Sequence, residues 1–169
     1  HRGALGRGAA HLRGMKIRVL AIGTDKSRLF EPAIDEYLGR IRRVVPIAVE
    51  ELAPAKKGGQ DPSRAKELEG RSLFERLRPG EMVVALDERG AEMDSRAFAE
   101  RVLARAMNQG RDLAFLIGGA EGHAAAVRER ADLVLSLSRL TLAHRLARLV
   151  LAEQIYRGLS ILRGEPYHK

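Results

Sequence analysis

Cysteine and tryptophan are absent from this chain of 169 residues, and aromatic side chains make up only 4% of it. Without cysteine there is no disulfide, no thiolate nucleophile and no thiolate metal site. So few aromatics disfavour recognition of several stacked bases in the manner of RRM-type modules. No apolar stretch approaches the ~18 residues that span a bilayer, so the protein is expected to be soluble and cytoplasmic, with no membrane partner. The usual phosphate cradles are missing too: no GxGxxG follows a strand and no Walker P-loop occurs, which argues against NAD and ATP. Neither a His-Glu-x-x-His motif nor a clustered His pair is present, so no metal is expected. There is no internal repeat.

The length suits one compact domain, since domains usually run to about 100–200 residues. Residues 1–14 are rich in Gly, Ala and Arg and carry no acidic side chain, unlike the patterned sequence that starts at Met15. We read 1–14 as a non-native or disordered N-terminal extension and 15–169 as the functional domain. A cationic targeting peptide shares the missing acids, but this segment has neither Ser nor the apolar run of a secretory signal. The net charge is +8 for the whole chain and +5 for residues 15–169. A basic surplus suits a polyanionic partner such as nucleic acid. It also suits a GC-rich coding sequence, because the cations are 24 Arg against 6 Lys.

Along the chain, short apolar runs alternate with amphipathic ones. Strands are predicted over Lys16–Ile22, Ile47–Leu52, Met82–Leu86, Leu113–Ile117 and Leu133–Leu135, from β-branched or continuously apolar composition. Helices are predicted from Phe30 to Ile41, Ser63 to Leu77, Ser95 (as cap) to Asn108, Ala124 to Arg130 and His144 to Leu162. The last should bury Leu146, Leu149, Val150, Ile155, Leu159 and Leu162. Between the second strand and second helix, residues 53–62 hold two Pro, two Gly and two Lys without periodicity and read as a mobile basic loop. Alternating strands and helices with apolar strands imply an α/β fold: a single-domain parallel sheet with helices on both faces.

Three predicted strand ends coincide with turn-rich phrases: Leu86-Asp87-Glu88-Arg89-Gly90, Ile117-Gly118-Gly119-Ala120-Glu121-Gly122, and Leu137 to Leu142. Open α/β sheets bind ligands at the carboxyl ends of their strands, so this is where a cofactor belongs. The Gly pair permits close backbone approach; it equally permits a mere tight turn. His123 reads as a solvated helix-start residue. His144 either donates to RNA or caps its helix, and Arg145, Arg148, Arg157 and Arg163 form either a solvated face or a phosphate-holding one. Tyr156, Phe98 and Phe115 read as packing residues. The final Glu165-Pro166-Tyr167-His168-Lys169 places an aromatic ring and an imidazole where chain ends normally fray.

Three of these phrases, LIGGAEG at 116–122, LSLSRLTL at 135–142 and RGEPYHK at 163–169, together resemble one enzyme family: the SPOUT-class 23S ribosomal RNA pseudouridine N3-methyltransferases. The resemblance covers nearly all of 15–169 and implies a trefoil-knotted α/β fold with S-adenosyl-L-methionine as cofactor. It implies that Leu137, Ser138, Arg139, Leu140, Thr141 and Leu142 wrap the adenine, with Leu86, Gly118 and Gly119 lining the same pocket. It also implies a homodimer in which one subunit's tail lies near the partner's cofactor, acting on 23S rRNA within the ribosome. Tyr167 then orients the base, His168 accepts the N3 proton, and His144, Arg145, Arg148 and Arg157 contact RNA. One departure is Ala143 where the family usually has Pro, which frees φ and restores an N–H; another is His123 where an apolar residue is common. Two rivals stay open: a non-catalytic ribosome-associated RNA-binding protein, and a related knotted methyltransferase acting on tRNA.

Overall fold

A computed structural model describes residues 14–56 and 61–169. The proposed extension, except Gly14, and residues 57–60 of the basic loop lie outside them. Five strands alternate with five helices: β1 (Ile17–Ile22), α1 (Glu31–Arg42), β2 (Ile47–Leu52), α2 (Pro62–Arg76), β3 (Met82–Ala91), α3, β4 (Leu113–Ile117), α4 (Ala125–Arg130), β5 (Leu133–Leu135) and α5 (His144–Leu162). Helix α3 begins at Ser95–Phe98, passes through a π-helical stretch at Ala99–Ala104 and ends at Arg105–Asn108.

The strands form one parallel sheet in the order β2-β1-β4-β3-β5. Because side chains alternate across a strand, the sheet feeds two cores. Val19, Ala21, Val84 and Phe115 meet Leu38, Ile41, Phe98, Leu103, Ile155 and Leu159 on one face. Leu20, Ile22, Val83 and Leu116 meet Leu73 and Val127 on the other. Helices α1, α3 and α5 thus cover one side and α2 and α4 the second, which gives the helices on both faces that the sequence predicted. The parallel arrangement brings all strand carboxyl ends to one edge, with β4 in the middle. Among the described residues, no helix is long and apolar enough to cross a membrane.

The opposite edge is closed by a buried ion-pair network. Arg18 is 6% exposed and Glu81 3%. Arg18 Nη1 donates to Glu81 Oε1 (2.7 Å), and Nη2 to Glu50 Oε2 and the Arg76 carbonyl (both 2.9 Å). Removing one partner strands the other's charge in the interior. Arg18→Ala should therefore cost ~3–5 kcal/mol of unfolding free energy in urea; a loss under ~1 kcal/mol would show that water reaches Glu81 and replaces the pair.

Three local expectations are corrected. Strand β3 does not stop at Leu86, because its continuation pairs with β5: Ala91 lies opposite Leu135 and its carbonyl accepts from Ser136 N (2.9 Å). The cap of α3 is Asp94, whose carboxylate accepts from Ala97 N (2.8 Å), while the Ser95 hydroxyl donates to Gln154 (2.7 Å). In α5, Leu146, Leu149, Val150 and Leu162 are only half-buried, and the buried face carries Arg148, Leu151, Ala152, Ile155, Gly158, Leu159 and Ser160. The helix has apolar side chains on more than one face, so composition alone does not say which stripe meets the sheet.

Candidate active site

Beside residues 86–89 of β3 and the ends of β4 and β5, a cavity of about 410 Å³ opens. Leu86, Gly118, Gly119, Leu137, Ser138, Leu140, Thr141 and Leu142 all line it, which is every expected cofactor residue except Arg139. The Arg139 side chain is 85% exposed and lies 3.5 Å from Glu92 instead. The sequence reading missed Lys66 and Arg128 in the wall. Lys66 arrives from α2, far from the glycine phrases in sequence, and no local pattern marks it.

The glycines are required by contact and by conformation. The chain folds back after β4, with Gly122 N donating to the Gly119 carbonyl (3.0 Å) and Gly122 at φ +80. A Cβ on Gly118 would lie 2.9 Å from the Gly122 carbonyl carbon. One on Gly119 would lie 2.8 Å from Glu69 Oε2. The same residues therefore make the tight turn and leave bare backbone facing the cavity.

Loop 136–142 is held by its own hydroxyls. Ser136 Oγ donates to the Ser138 carbonyl, Ser138 Oγ accepts from Leu140 N (both 2.9 Å), and Thr141 Oγ1 donates to Glu88 Oε2 (3.0 Å). Ala143 has φ −56, inside the range a proline ring would impose. The backbone thus reaches the expected geometry without the ring. A purine nucleoside fits such walls, with leucine side chains for its faces and backbone groups for its edges.

His123 is corrected from solvated to buried: it is 4% exposed, and its Nε2 lies 3.1 Å from the Leu116 carbonyl. Since a carbonyl only accepts, Nε2 carries the hydrogen. Burial pushes its pKa down, so the ring is neutral. The fold-back of the glycine turn carries residue 123 beneath the sheet end, which the local sequence does not reveal. His144 also faces inward. It is half-buried and lines the cavity, and its Nε2 is occluded without a partner. Burial first, then the neighbouring Arg148, lowers its pKa.

The expected RNA-contacting arginines separate. Arg148 is corrected from an open phosphate ligand to a buried residue: it is 9% exposed, with Nη2 donating to the Gly23 carbonyl (2.7 Å) and Nη1 3.2 Å from Glu51. Arg145 stays open at 44% side-chain exposure, beside Asp25 and Ser27. Arg157 Nε donates to Glu153 (2.9 Å) and Nη1 to His168 Nδ1 (3.1 Å).

The tail is anchored on α1 and α5. The Tyr167 ring meets Tyr156 edge-on at 4.7 Å, and its hydroxyl lies 3.1 Å from Glu153 Oε1 and 3.3 Å from the Tyr37 hydroxyl. Burial, Tyr37 and Glu153 push the phenol pKa far above its ordinary value, so it stays protonated and serves as a donor. Neither Tyr167 nor His168 lines the cavity of its own chain.

Residues 15–168 match the family model described as "Predicted SPOUT methyltransferase". The chain belongs to the SPOUT methyltransferase family. It is 55% identical over 155 residues to the ribosomal RNA large subunit methyltransferase H of Anaeromyxobacter dehalogenans (strain 2CP-C), covering 92% of this chain and 100% of that one. A protein of the same name from Anaeromyxobacter sp. (strain Fw109-5) is 53% identical over the same coverage. One from Thioalkalivibrio sulfidiphilus is 42% identical over 156 residues, 92% of this chain and 99% of the relative. The parallel α/β architecture agrees with this family, whose fold is a knotted α/β sheet.

Proposed function

We propose that this SPOUT protein is a ribosomal RNA methyltransferase that uses S-adenosyl-L-methionine to methylate N3 of a pseudouridine in 23S rRNA, on the assembled ribosome in the cytoplasm. The names of its relatives support the reaction class. The observation that carries the finer reading is the separation of the cofactor cavity from the Tyr167–His168 tail within one chain. A second copy is needed to bring a tail to a cavity. The half-buried Leu146, Leu149 and Val150 of α5 supply an apolar stripe for such a homodimer.

Bound in the cavity, the cofactor supplies an already electrophilic methyl group, so the protein's task is alignment rather than activation. Leu86, Gly118, Gly119, Leu137, Ser138, Leu140, Thr141 and Leu142 hold the adenosine end. Tyr167, fixed by Glu153 and Tyr37, orients the acceptor base. In His168, Nδ1 faces an arginine that can only donate, so the neutral ring carries its hydrogen on Nε2. In that state His168 donates to a base carbonyl, and it accepts the N3 proton only once Arg157 lets go of Nδ1. Arg145 meets phosphate, and Arg157 holds the tail in place. No metal and no membrane enters this scheme.

Labelled methyl transfer to ribosomes lacking the modification tests the reading, together with sedimentation of the enzyme at assay concentration. The expected result is labelled 23S rRNA and a dimer whose dissociation abolishes transfer. Label in tRNA would transfer the assignment to the rival knotted enzymes; cofactor binding that is absent altogether would leave only the non-catalytic RNA-binding reading. A fully active monomer would sink the shared site.

A further inference from the structure

Glu69 has no part in the function argued so far. It lies on α2 and is 7% exposed, with the Ala55 backbone amide near its carboxylate. Its one charged neighbour among the described residues is Glu121, a like charge that lines the cavity. Burial and Glu121 together push its pKa above the ordinary carboxylate range. A buried carboxylate without a cation is unfavourable, which asks what compensates it.

Its position answers. The carboxylate oxygens lie 2.8 and 3.0 Å from the point where a Cβ of Gly119 would be, so they stand directly behind a glycine of the cavity wall. Lys66, three residues earlier and therefore on the same face of α2, lines the cavity itself. Lys66 thus offers a positive side chain at the wall, and Glu69 a negative one behind Gly119. That is the complement of a zwitterion.

Resting on the cofactor assignment above, we propose that α2 holds the amino-acid end of the cofactor, with Glu69 accepting from its α-ammonium group and Lys66 pairing with its α-carboxylate. A site for the sulfonium alone would call for the acid and leave the lysine unexplained. The ammonium also relieves the isolated charge of Glu69, while Gly119, having no side chain, lets the two approach.

Calorimetric titration of Glu69→Gln, Lys66→Met and the parent with three ligands tests this: S-adenosylmethionine, S-adenosylhomocysteine, and 5′-methylthioadenosine, which lacks the amino-acid end. Each variant should weaken the first two about tenfold, equivalent to ~1.4 kcal/mol, and leave 5′-methylthioadenosine unchanged. Glu69→Gln should fold at least as stably as the parent, because it removes an uncompensated charge; if it does not fold, Lys66→Met carries the same comparison. Weakening confined to S-adenosylmethionine would place Glu69 at the sulfonium, and equal weakening of all three ligands would make the residues merely structural. Either outcome, or unchanged affinity throughout, overturns the proposal. A parent that binds none of the three overturns the cofactor assignment with it.

Discussion

Deleting Tyr167 to Lys169 should lower methyl transfer to ribosomes by about 10³-fold or more while leaving cofactor affinity within about twofold. The magnitude combines a lost positioning residue with a lost proton-handling group, each worth roughly 10²-fold or more when the base must be held in line. Affinity should hold because no tail residue lines the cavity of its own chain. The deletion also removes the Tyr167 ring from Tyr156 and from under Arg157, whose guanidinium lies 4.7 Å from its centroid. Unfolding free energy should therefore fall, but only by ~1–3 kcal/mol. Single-turnover transfer, calorimetric titration and urea unfolding on one preparation separate these effects. His168→Gln, which keeps a donor in place of the Nε2–H, should retain more rate than His168→Ala if the ring donates to the base. A truncated enzyme that methylates ribosomes at the parental rate would remove the tail from the reaction.

Gly118→Val should abolish measurable cofactor binding, a loss of about 100-fold or more. A Cβ at this residue meets the carbonyl carbon of Gly122 at 2.9 Å and its oxygen at 3.1 Å, and these are backbone atoms that cannot swing aside. The turn must open or the branched side chain must enter the cavity, and both displace the cofactor. The two-core sheet beneath it is untouched, so a cooperative unfolding transition should survive with a loss of roughly 1–3 kcal/mol, the usual cost of overpacking. If the variant folds and binds S-adenosylmethionine as tightly as the parent, the cavity between Leu86, Gly118 and Leu142 is not the cofactor site.

Much of this molecule is written locally. Leu113–Ile117 and Met82–Leu86 are apolar at every position, and such a run satisfies its neighbours only when buried on both faces of a parallel sheet. The alternation with amphipathic helices then puts every strand end on one edge, and the glycine and hydroxyl-rich phrases that follow β4 and β5 fall there. The cavity at that edge was legible for that reason, Arg139 excepted, whose side chain lies against Glu92 outside it. What tertiary structure alone decided involves residues whose partners are distant in sequence. Arg148 looked like an open cation until Gly23, just past β1, and Glu51, on β2, closed over it. His123 looked solvated until the turn folded it under Leu116. Lys66 and Glu69 carry no local mark of a site, because their meaning comes from Gly119, fifty residues away. The stripe of α5 that meets the sheet was likewise undetermined, since a helix with apolar residues on several faces is oriented by what packs against it.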